Sequence, residues 1–357
     1  MLASDRPASG AAGIEVKQLD SGNDAAVARW EAFVAAAPAA TFFHRAGWQN
    51  LLRDIYRHRT CFLYAERNGS IVGILPLAQI NSLLFGNALV ALPFAVYGGV
   101  VSDDPAATAA LEAEAERLAL EFGVAHLEYR NIDVHHGDWP SQDLYVTFRK
   151  EILPDEESNL QAIPRKQRAM VRKGIKNGLR GEIDANADRF FALYADNVHR
   201  HGTPAMPKRY FAALLREFGK DCEVLTVVDA AGTPVSSVLS FYFRDAVLPY
   251  YAGDAEHARA LAANDFKYWD LMRRAGQRGL KVFDYGRSKV GSGSYSFKKN
   301  WGFEPQALHY EYRLYKRAGI PQNNPNNPKY KLMIAAWRRM PLALANFLGP
   351  FIVRNLG

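Results

Sequence analysis

The sequence predicts an α/β protein with two domains, each built on a mixed sheet, and three observations support this fold class. The chain has 357 residues, which is enough for two domains of ordinary size. It is 48% hydrophobic and 23% charged, as folded globular proteins are. A pattern of three strands, a helix and a fourth strand occurs twice, with a separation of roughly 155 to 160 residues. This repeat favours two similar domains, although two unrelated α/β units could also produce it.

Each copy of the repeat can be followed element by element. The first copy has strands that begin at Cys61 and Ile71, a strand that ends at Tyr97-Gly98-Gly99, a helix over 105–122 and a strand over 124–130. The second copy has strands that begin at Cys222 and Val235, a strand that ends at Tyr250-Tyr251-Ala252-Gly253, a helix over 258–278 and a strand over 280–287. Each helix stops at a glycine, Gly123 or Gly279, which is a common signal for a helix C-terminus.

Helical segments precede both cores and help to set the domain limits. They are predicted over 25–36 and 47–56 before the first core, and over 164–178, 187–199 and 207–218 before the second. We interpret 133–160, with its histidine, proline and acidic clusters, as the interdomain crossing. The predicted limits are a disordered leader over 1–13, a first domain over 14–150, a second domain over 151–318 and a basic amphipathic tail over 319–357.

The positive charge is concentrated in two regions. The net charge is +7, yet residues 161–181 hold seven basic side chains and no acid, and residues 312–357 hold eight and no acid. The rest of the chain is therefore net acidic. Two positive regions on an acidic body predict localised anionic partners rather than general coating of nucleic acid.

Cysteine content and hydropathy argue against an exported or membrane-spanning protein. Two cysteines, Cys61 and Cys222, are too few for a disulfide framework, so we expect reduced core thiols in a cytoplasmic protein. Residues 1–13 lack the apolar stretch of a secretory signal. Residues 68–102 carry no charge, but their glycines and prolines suit short buried strands better than a membrane helix.

No metal site is expected from the histidines. His135-His136 and His199-Arg200-His201 lack a carboxylate or cysteine at ligand spacing, so we interpret them as loop histidines. No permanently bound cofactor is predicted either.

Three motifs are specific enough to compare with known families. They are Phe42-Phe43-His44-Arg45-Ala46-Gly47-Trp48, the basic segment from Ile163 to Gly174, and Phe283-Asp284-Tyr285-Gly286-Arg287 followed by Tyr295 to Phe303. These motifs resemble those of the FemAB family of peptidyl and aminoacyl transferases. The resemblance covers about residues 25 to 315 and, with the tail, is closest to the subgroup associated with PEP-CTERM/exosortase systems and exopolysaccharide production. It implies two tandem GNAT-like acyltransferase domains, the second of a BioF2-like acetyltransferase type.

The resemblance also implies an activity, transfer of an acyl, aminoacyl or peptidyl group to an amine of a cell-envelope or exopolysaccharide precursor. One alternative is a CoA-dependent N-acetyltransferase of the same fold. Another is a non-catalytic binding scaffold in exopolysaccharide assembly. The donor, aminoacyl-tRNA or acyl-CoA, stays open, because the second domain lacks the long helical hairpin of some tRNA-dependent relatives. Against CoA, the segment 252–258 carries Asp254 and Glu256 where relatives cradle pyrophosphate.

The candidate catalytic residues are Lys298 and Asp284. Transfer to an amine passes through a tetrahedral oxyanion, which needs a cation or aligned donors in a dry site. By the resemblance, Lys298 supplies that cation, and Lys299 is its competitor, since adjacent side chains cannot both point inward. Asp284 ends a strand, where it could accept a proton from the attacking amine or pair with Arg287.

Further residues are candidates for binding substrate. Arg287 and Ser288 could hold a phosphate or carboxylate, and Tyr251 and Phe297 could line the site. On the helix over 164–178, the residues Arg165, Arg168, Arg172 and Lys176 share one face, while Val171, Ile175 and Leu179 share another. The basic face predicts binding of an anion, such as a nucleotide-linked or lipid-linked glycan precursor or a tRNA.

The tail combines basic and apolar residues. Lys329, Lys331, Arg338 and Arg339 flank a set of large apolar side chains that includes Trp337, Phe347 and Phe351. Pro341 and Gly349-Pro350 divide the segment into pieces too short to cross a bilayer, which needs about 20 residues. Two interpretations stay open, a helix packed on the second domain and a peripheral contact with the inner face of the membrane.

Overall fold

A computed structural model describes residues 13–82, 86–320 and 328–355, with the side chains of 328–332 left out. The chain forms two compact units, Met1–Ser141 with Tyr310–Ile320, and Gln142–His309 with Pro321–Gly357. The predicted leader lies outside the described residues except for Gly13. These limits differ from the predicted ones, because residues 142–150 belong to the second unit and residues 310–320 return to the first.

The strands and helices follow in chain order. The strands are β1 (Ile14–Gln18), β2 (Arg59–Arg67), β3 (Ser70–Ser82), β4 (Gly86–Ala91), β5 (His126–Asn131), β6 (Ser141–Gln142), β7 (Tyr145–Glu151), β8 (Arg180–Asp184), β9 (Cys222–Val228), β10 (Pro234–Phe243), β11 (Ala246–Asp254), β12 (Val282–Asp284), β13 (Ser288–Lys289), β14 (Pro305–Ala307) and β15 (His309–Leu314). The helices are α1 (Asp24–Ala36), α2 (Gly47–Asp54), α3 (Pro105–Glu121), α4 (Glu156–Ala162), α5 (Arg165–Lys176), α6 (Asp188–Arg200), α7 (Lys208–Phe218), α8 (Ala258–Leu261), α9 (Ala263–Gln277), α10 (Gly293–Asn300), α11 (Pro328–Arg339) and α12 (Leu342–Val353).

The first unit contains a seven-stranded mixed sheet in the order β1-β2-β3-β4-β5-β15-β6. Strands β1 to β4 are antiparallel, and β4 and β5 are parallel, joined through α3. Helix α3 begins at the N-cap Asp104 with Pro105 in its first turn, and ends before Gly123, whose φ is 59°. Its buried residues, among them Leu111 and Leu118, pack with strand residues in one core cluster.

The second unit contains an eight-stranded mixed sheet in the order β13-β7-β12-β11-β10-β9-β8, with β14 also paired to β7. Strand β7 corrects the sequence analysis, which took 133–160 for a connection. Its residues Thr147 and Phe148 are fully buried, and it pairs with three other strands. The sequence hides this role, because all three partners lie more than a hundred residues further along the chain.

Helices cover the second sheet much as predicted, with one break. The segment 258–278 forms two helices, because Ala262 adopts the left-handed conformation with φ 60°. Helix α9 connects the parallel strands β11 and β12. Helix α5 packs closely on α9, since a Cβ added to Gly174 would lie 2.8 Å from Cβ of Phe266. The mixed α/β fold class of the prediction is confirmed in both units.

The tail packs on the second unit. Helices α11 and α12 both contact α6, and Nε2 of His199 lies 3.0 Å from the carbonyl oxygen of Trp337. A Cβ added to Gly349 would lie 2.9 Å from the carbonyl oxygen of Ala205. Over the described part of the chain, no helix is long and apolar enough to cross a membrane.

Both cysteines are free and buried in the core of their unit. Burial raises the pKa of Cys61 to about 11 and raises that of Cys222 as well, so neither thiol is activated as a nucleophile.

Candidate functional site

The candidate site of the second unit begins where the parallel strands β11 and β12 separate. The two strands pair only at Ala246 with Val282 and at Val247 with Phe283. Strand β11 then continues beside β10 as far as Asp254, with a register shift that leaves Tyr250 as the bulged residue. A crevice at the carboxyl ends of diverging parallel strands is a common ligand-binding position in α/β proteins, and bulges occur next to such sites.

Asp284 ends β12 and is almost fully buried, with 3% of its surface exposed. The backbone N–H of Gly286 donates a hydrogen bond of 2.8 Å to Oδ1 of Asp284. Nε of Arg149 lies 3.4 Å from Oδ2 of the same carboxylate. Arg149 is the β7 residue paired with Asp284 in the sheet register. Arg149 was not among the predicted site residues, because the sequence gives no local signal that β7 pairs with β12.

Lys298 holds the turn that follows Asp284. Its ammonium donates three hydrogen bonds, to the carbonyl oxygens of Tyr285 at 2.7 Å, Gly286 at 2.9 Å and Arg287 at 3.1 Å. The lysine is 8% exposed, whereas its neighbour Lys299 is exposed. In this structure Lys298 therefore fixes the backbone of the turn, and its predicted role as oxyanion donor would require a substrate to replace one of the three carbonyls.

Burial also brings the titration of Lys298 close to neutral pH. Loss of hydration lowers its pKa to about 7, although the carboxylate of Asp284 partly opposes the shift. A lysine with such a pKa can exchange a proton near neutral pH, which is unusual for an amine of this type. Helix α10 aims the side chain inward, and Ser292 caps that helix by accepting a hydrogen bond of 3.2 Å from the N–H of Tyr295.

The turn also carries polar groups that the described residues leave unsatisfied. The hydroxyls of Tyr285 and Ser288 are buried and have no hydrogen-bond partner within the described ranges. Arg287 is exposed, with its guanidinium 4.5 Å from the ring centroid of Tyr145. A buried hydroxyl without a partner is costly, so these two groups suit a bound ligand or water.

The other predicted lining residues lie in two aromatic clusters. Phe297 is half-buried and packs on Tyr268, Tyr285 and Trp301. Tyr251 packs on other rings, and its hydroxyl lies 3.0 Å from that of Tyr210. The structure thus brings Asp284, Arg287, Ser288, Phe297 and Lys298 together around one turn, while Tyr251 lies on β11 across the diverging strands.

Helix α5 presents a cationic surface. Its exposed cations are Arg165, Lys166, Arg172, Lys173 and Lys176, with Arg180 just after the helix. Arg168 is less exposed, because its guanidinium bonds the backbone and side chain of Gln161. Within the described ranges, none of these cations forms an ion pair with a carboxylate. The predicted apolar face is wrong at one position, since Ile175 is 50% exposed and Gly174 takes the place against α9.

The start of α5 lies beside the residues of the turn region. Lys150, which follows Arg149 on β7, donates a hydrogen bond of 3.1 Å to the carbonyl oxygen of Ala162. A Cβ added to Gly302, just after α10, would lie 3.2 Å from Cδ of Pro164. The first turn of the cationic helix is therefore adjacent to β7 and to the end of α10.

In the segment 252–258, which the sequence analysis compared with a pyrophosphate-binding loop, two N–H groups already have partners. The N–H of Ala255 donates to the carbonyl oxygen of Val235 at 2.9 Å, and that of Ala258 donates to the carbonyl oxygen of Ala255 at 3.1 Å. The carboxylate of Asp254, which the sequence analysis expected to repel a pyrophosphate, lies 2.8 Å from Nζ of the fully buried Lys267. Burial opposes ionisation of Asp254, but Lys267 outweighs it and keeps the pKa of the carboxyl below its usual value.

Across the described part of the chain, no cluster of three histidine, cysteine or acidic side chains is arranged to hold a metal ion.

Residues 165–299 match the protein family described as "Acetyltransferase (GNAT) domain". The matched region runs from the start of α5 into α10, so it includes the cationic helix, the diverging strands and Lys298. This domain places the chain among the acyltransferases. Among curated proteins, none matches the chain in sequence.

Solved structures share the fold over nearly the whole chain. The crystal structure of FemX has 14% sequence identity, covers 85% of this chain and 98% of its own, and has a TM-score of 0.65. L-PGS from Bacillus licheniformis has 13% identity, covers 90% and 97%, and has a TM-score of 0.56. Saccharomyces cerevisiae N-myristoyltransferase with bound myristoyl-CoA and inhibitors has 11% identity, covers 89% and 83%, and has a TM-score of 0.50. At these identities the likeness concerns the fold, and it confirms the prediction of two GNAT-like units.

Proposed function

We propose that this acyltransferase moves an aminoacyl, peptidyl or other acyl group to the amine of a cell-envelope or exopolysaccharide precursor, at the turn after β12. One observation carries the proposal. The buried carboxylate of Asp284 precedes that turn, and the buried ammonium of Lys298 binds three of its carbonyl oxygens. Two residues in and next to the turn, Tyr285 and Ser288, also carry buried hydroxyls without a partner within the described ranges. The FemAB-like motifs and the fold shared with FemX support this reaction class.

The residues of the turn can serve each step of such a transfer. The acceptor amine attacks the carbonyl carbon of the donor, and Asp284 takes the proton that the amine releases. The carbonyl oxygen becomes an oxyanion, which Lys298 meets after one of its three carbonyl bonds gives way. When the intermediate collapses, the bond to the donor's leaving oxygen or sulfur breaks, and that atom takes up the proton that Asp284 had accepted from the amine. Arg287 and Ser288 are placed to hold an anionic or polar part of a substrate.

Aminoacyl-tRNA is the donor that we favour. The exposed cations of α5 have no acidic partners within the described ranges, and the first turn of the helix lies beside β7 and α10, so a phosphate backbone could run along the helix towards the turn. The N–H groups of Ala255 and Ala258 already bond carbonyl oxygens, so these two donors are not available to a pyrophosphate. Acyl-CoA is the second candidate, and the matched family together with the fold shared with a myristoyl-CoA-bound enzyme favours it.

The donor can be tested by binding and by transfer. Charged tRNA should bind with a Kd that rises with salt, and Arg172→Glu with Lys176→Glu should weaken binding by roughly tenfold or more. Lys220→Glu, a reversal of an exposed cation outside α5, is the matched control and should change binding little. Binding that ignores salt and the α5 reversals would contradict the tRNA proposal, and transfer from acetyl-CoA instead would establish the second donor.

The identity of the acceptor, the biological system and the cellular location also stay proposals. An exopolysaccharide precursor as acceptor, and a link to PEP-CTERM/exosortase systems, rest on the resemblance of the motifs and tail. A non-catalytic scaffold in exopolysaccharide assembly is the alternative from another class. It would bind an anionic precursor and transfer nothing from either donor. A cytoplasmic location, with contact at the inner face of the membrane, is likewise proposed.

A further inference from the structure

The C-terminal helix α12 has two different apolar faces. The buried face consists of Ala345, Gly349 and Val353, at a spacing of four residues, and it packs towards α6 and Ala205. The opposite face carries Leu344, Phe347 and Phe351, which are 45%, 67% and 60% exposed. The two open interpretations of the tail are therefore compatible, because packing on the unit occupies only one side of the helix.

The exposed apolar residues are concentrated in this part of the chain. Nine large apolar side chains are exposed within the described residues, and four of them, Met333 and the three of the α12 face, lie in α11 and α12. The rings of Phe347 and Phe351 are 6.0 Å apart, so they form one continuous aromatic surface. A contiguous apolar surface of this kind marks an interaction site more often than scattered apolar residues do.

The charge around the exposed face decides what covers it. Arg338 and Arg339 are exposed in the last turn of α11, where Arg338 also donates a hydrogen bond of 3.1 Å to the carbonyl oxygen of His201, and residues 312–357 contain no acidic side chain. A second copy of the chain packed symmetrically on this face would bring two cationic tails close together, with no acidic residue in either tail to offset the repulsion. An anionic lipid surface complements both features, because it attracts the cations and takes up the aromatic side chains.

We propose that the exposed face of α12 docks the protein on an anionic lipid surface, with the helix lying in the plane of the membrane. The helix has 12 residues and is about 18 Å long, so it can lie in the interface but cannot cross it. Leu344, Phe347 and Phe351 insert among the lipids, and Arg338 and Arg339 lie at the level of the headgroups. This docking does not depend on the transfer reaction proposed above.

Vesicle flotation of the full chain tests the docking. The wild-type protein should float with vesicles of phosphatidylcholine that contain about 30% phosphatidylglycerol, and should float less with phosphatidylcholine alone. Phe347→Ser combined with Phe351→Ser should lower the partition coefficient by roughly tenfold or more, because both rings lose the apolar contact. Leu120→Ser is the matched control, since Leu120 is also 67% exposed but lies in the first unit.

Three results would overturn the proposal. They are failure of the wild type to float with the anionic vesicles, flotation of the double variant equal to that of the wild type, and lipid-free self-association that the double variant abolishes. Thermal denaturation guards against a folding defect. Both phenylalanines are exposed, so the melting temperature of the double variant should equal that of the wild type.

Discussion

Replacing Lys298 with methionine should change how the stability of the protein depends on pH. Burial lowers the pKa of Lys298 from its usual 10.5 to about 7, so the unfolded chain keeps this proton over a range in which the folded chain releases it. In that range the unfolded state binds more protons, and the free energy of unfolding rises with pH. The buried charge of Lys298 therefore destabilises the folded state in full below the folded pKa, and this destabilisation disappears as the pH approaches 10.5.

The size of the effect follows from the two pKa values. From about pH 7 to about pH 9, Lys298 should add about 2 kcal/mol to the free energy of unfolding. Lys298→Met removes the titrating group. The free energy of unfolding of this variant should therefore rise over the same pH range by less than that of the wild type, and the difference should equal the contribution of Lys298. Urea denaturation of both proteins at the two pH values measures the difference. Lys299→Met, a change at the exposed neighbour, should respond to pH as the wild type does.

An identical pH response in the wild type and Lys298→Met would refute this reasoning. It would mean that the three carbonyl oxygens of the turn keep the ammonium charged throughout, and that burial does not lower its pKa. Lys298 would then be a fixed cation that holds the turn, not a group that exchanges a proton near neutral pH.

Two further changes test the chemistry and the packing of the second unit. Asp284→Asn should lower the transfer rate by about a hundredfold or more, as expected for loss of a general base. Arg149→Gln only breaks the ion pair and should lower the rate by less than about tenfold. Equal losses of rate in the two variants would favour a purely structural role for the carboxylate. Gly253→Ala should destabilise the fold by about 1–3 kcal/mol or more in urea denaturation, because the new Cβ would lie 2.4 Å from backbone atoms of Tyr194. Gly137→Ala, with open space around its Cβ position, should cost little, and a Gly253→Ala protein as stable as the wild type would contradict the tight packing of α6 on β11.

The helices of the fold were the most predictable part. Their limits depend on local signals, and α3 shows this well, with Asp104 and Pro105 at its start and Gly123 at its end. Helices α5, α6 and α7 also begin and end within two residues of their predicted limits. The break at Ala262 was not predictable, because alanine favours a helix and nothing in the local sequence demands a left-handed residue there.

Features that depend on distant pairing were not predictable. Strand β7 pairs with strands that begin more than a hundred residues later, and residues 310–320 return to the first unit across the whole second unit. The site shows the same limit. The motif containing Asp284 and Lys298 could be found in the sequence, but the three carbonyls bound by Lys298 and the partner Arg149 appear only when the chain is folded.

The central claim is that acyl transfer occurs at the turn held by Lys298. The most direct test supplies the purified protein with aminoacyl-tRNA carrying a labelled amino acid, or with labelled acetyl-CoA, together with amine-bearing envelope precursors, and follows the label by mass spectrometry. Label should reach a precursor amine with the wild type and with Lys299→Met. Lys298→Met should slow transfer by about a hundredfold or more. Transfer by Lys298→Met at the wild-type rate, or no transfer by the wild type from either donor, would contradict this claim.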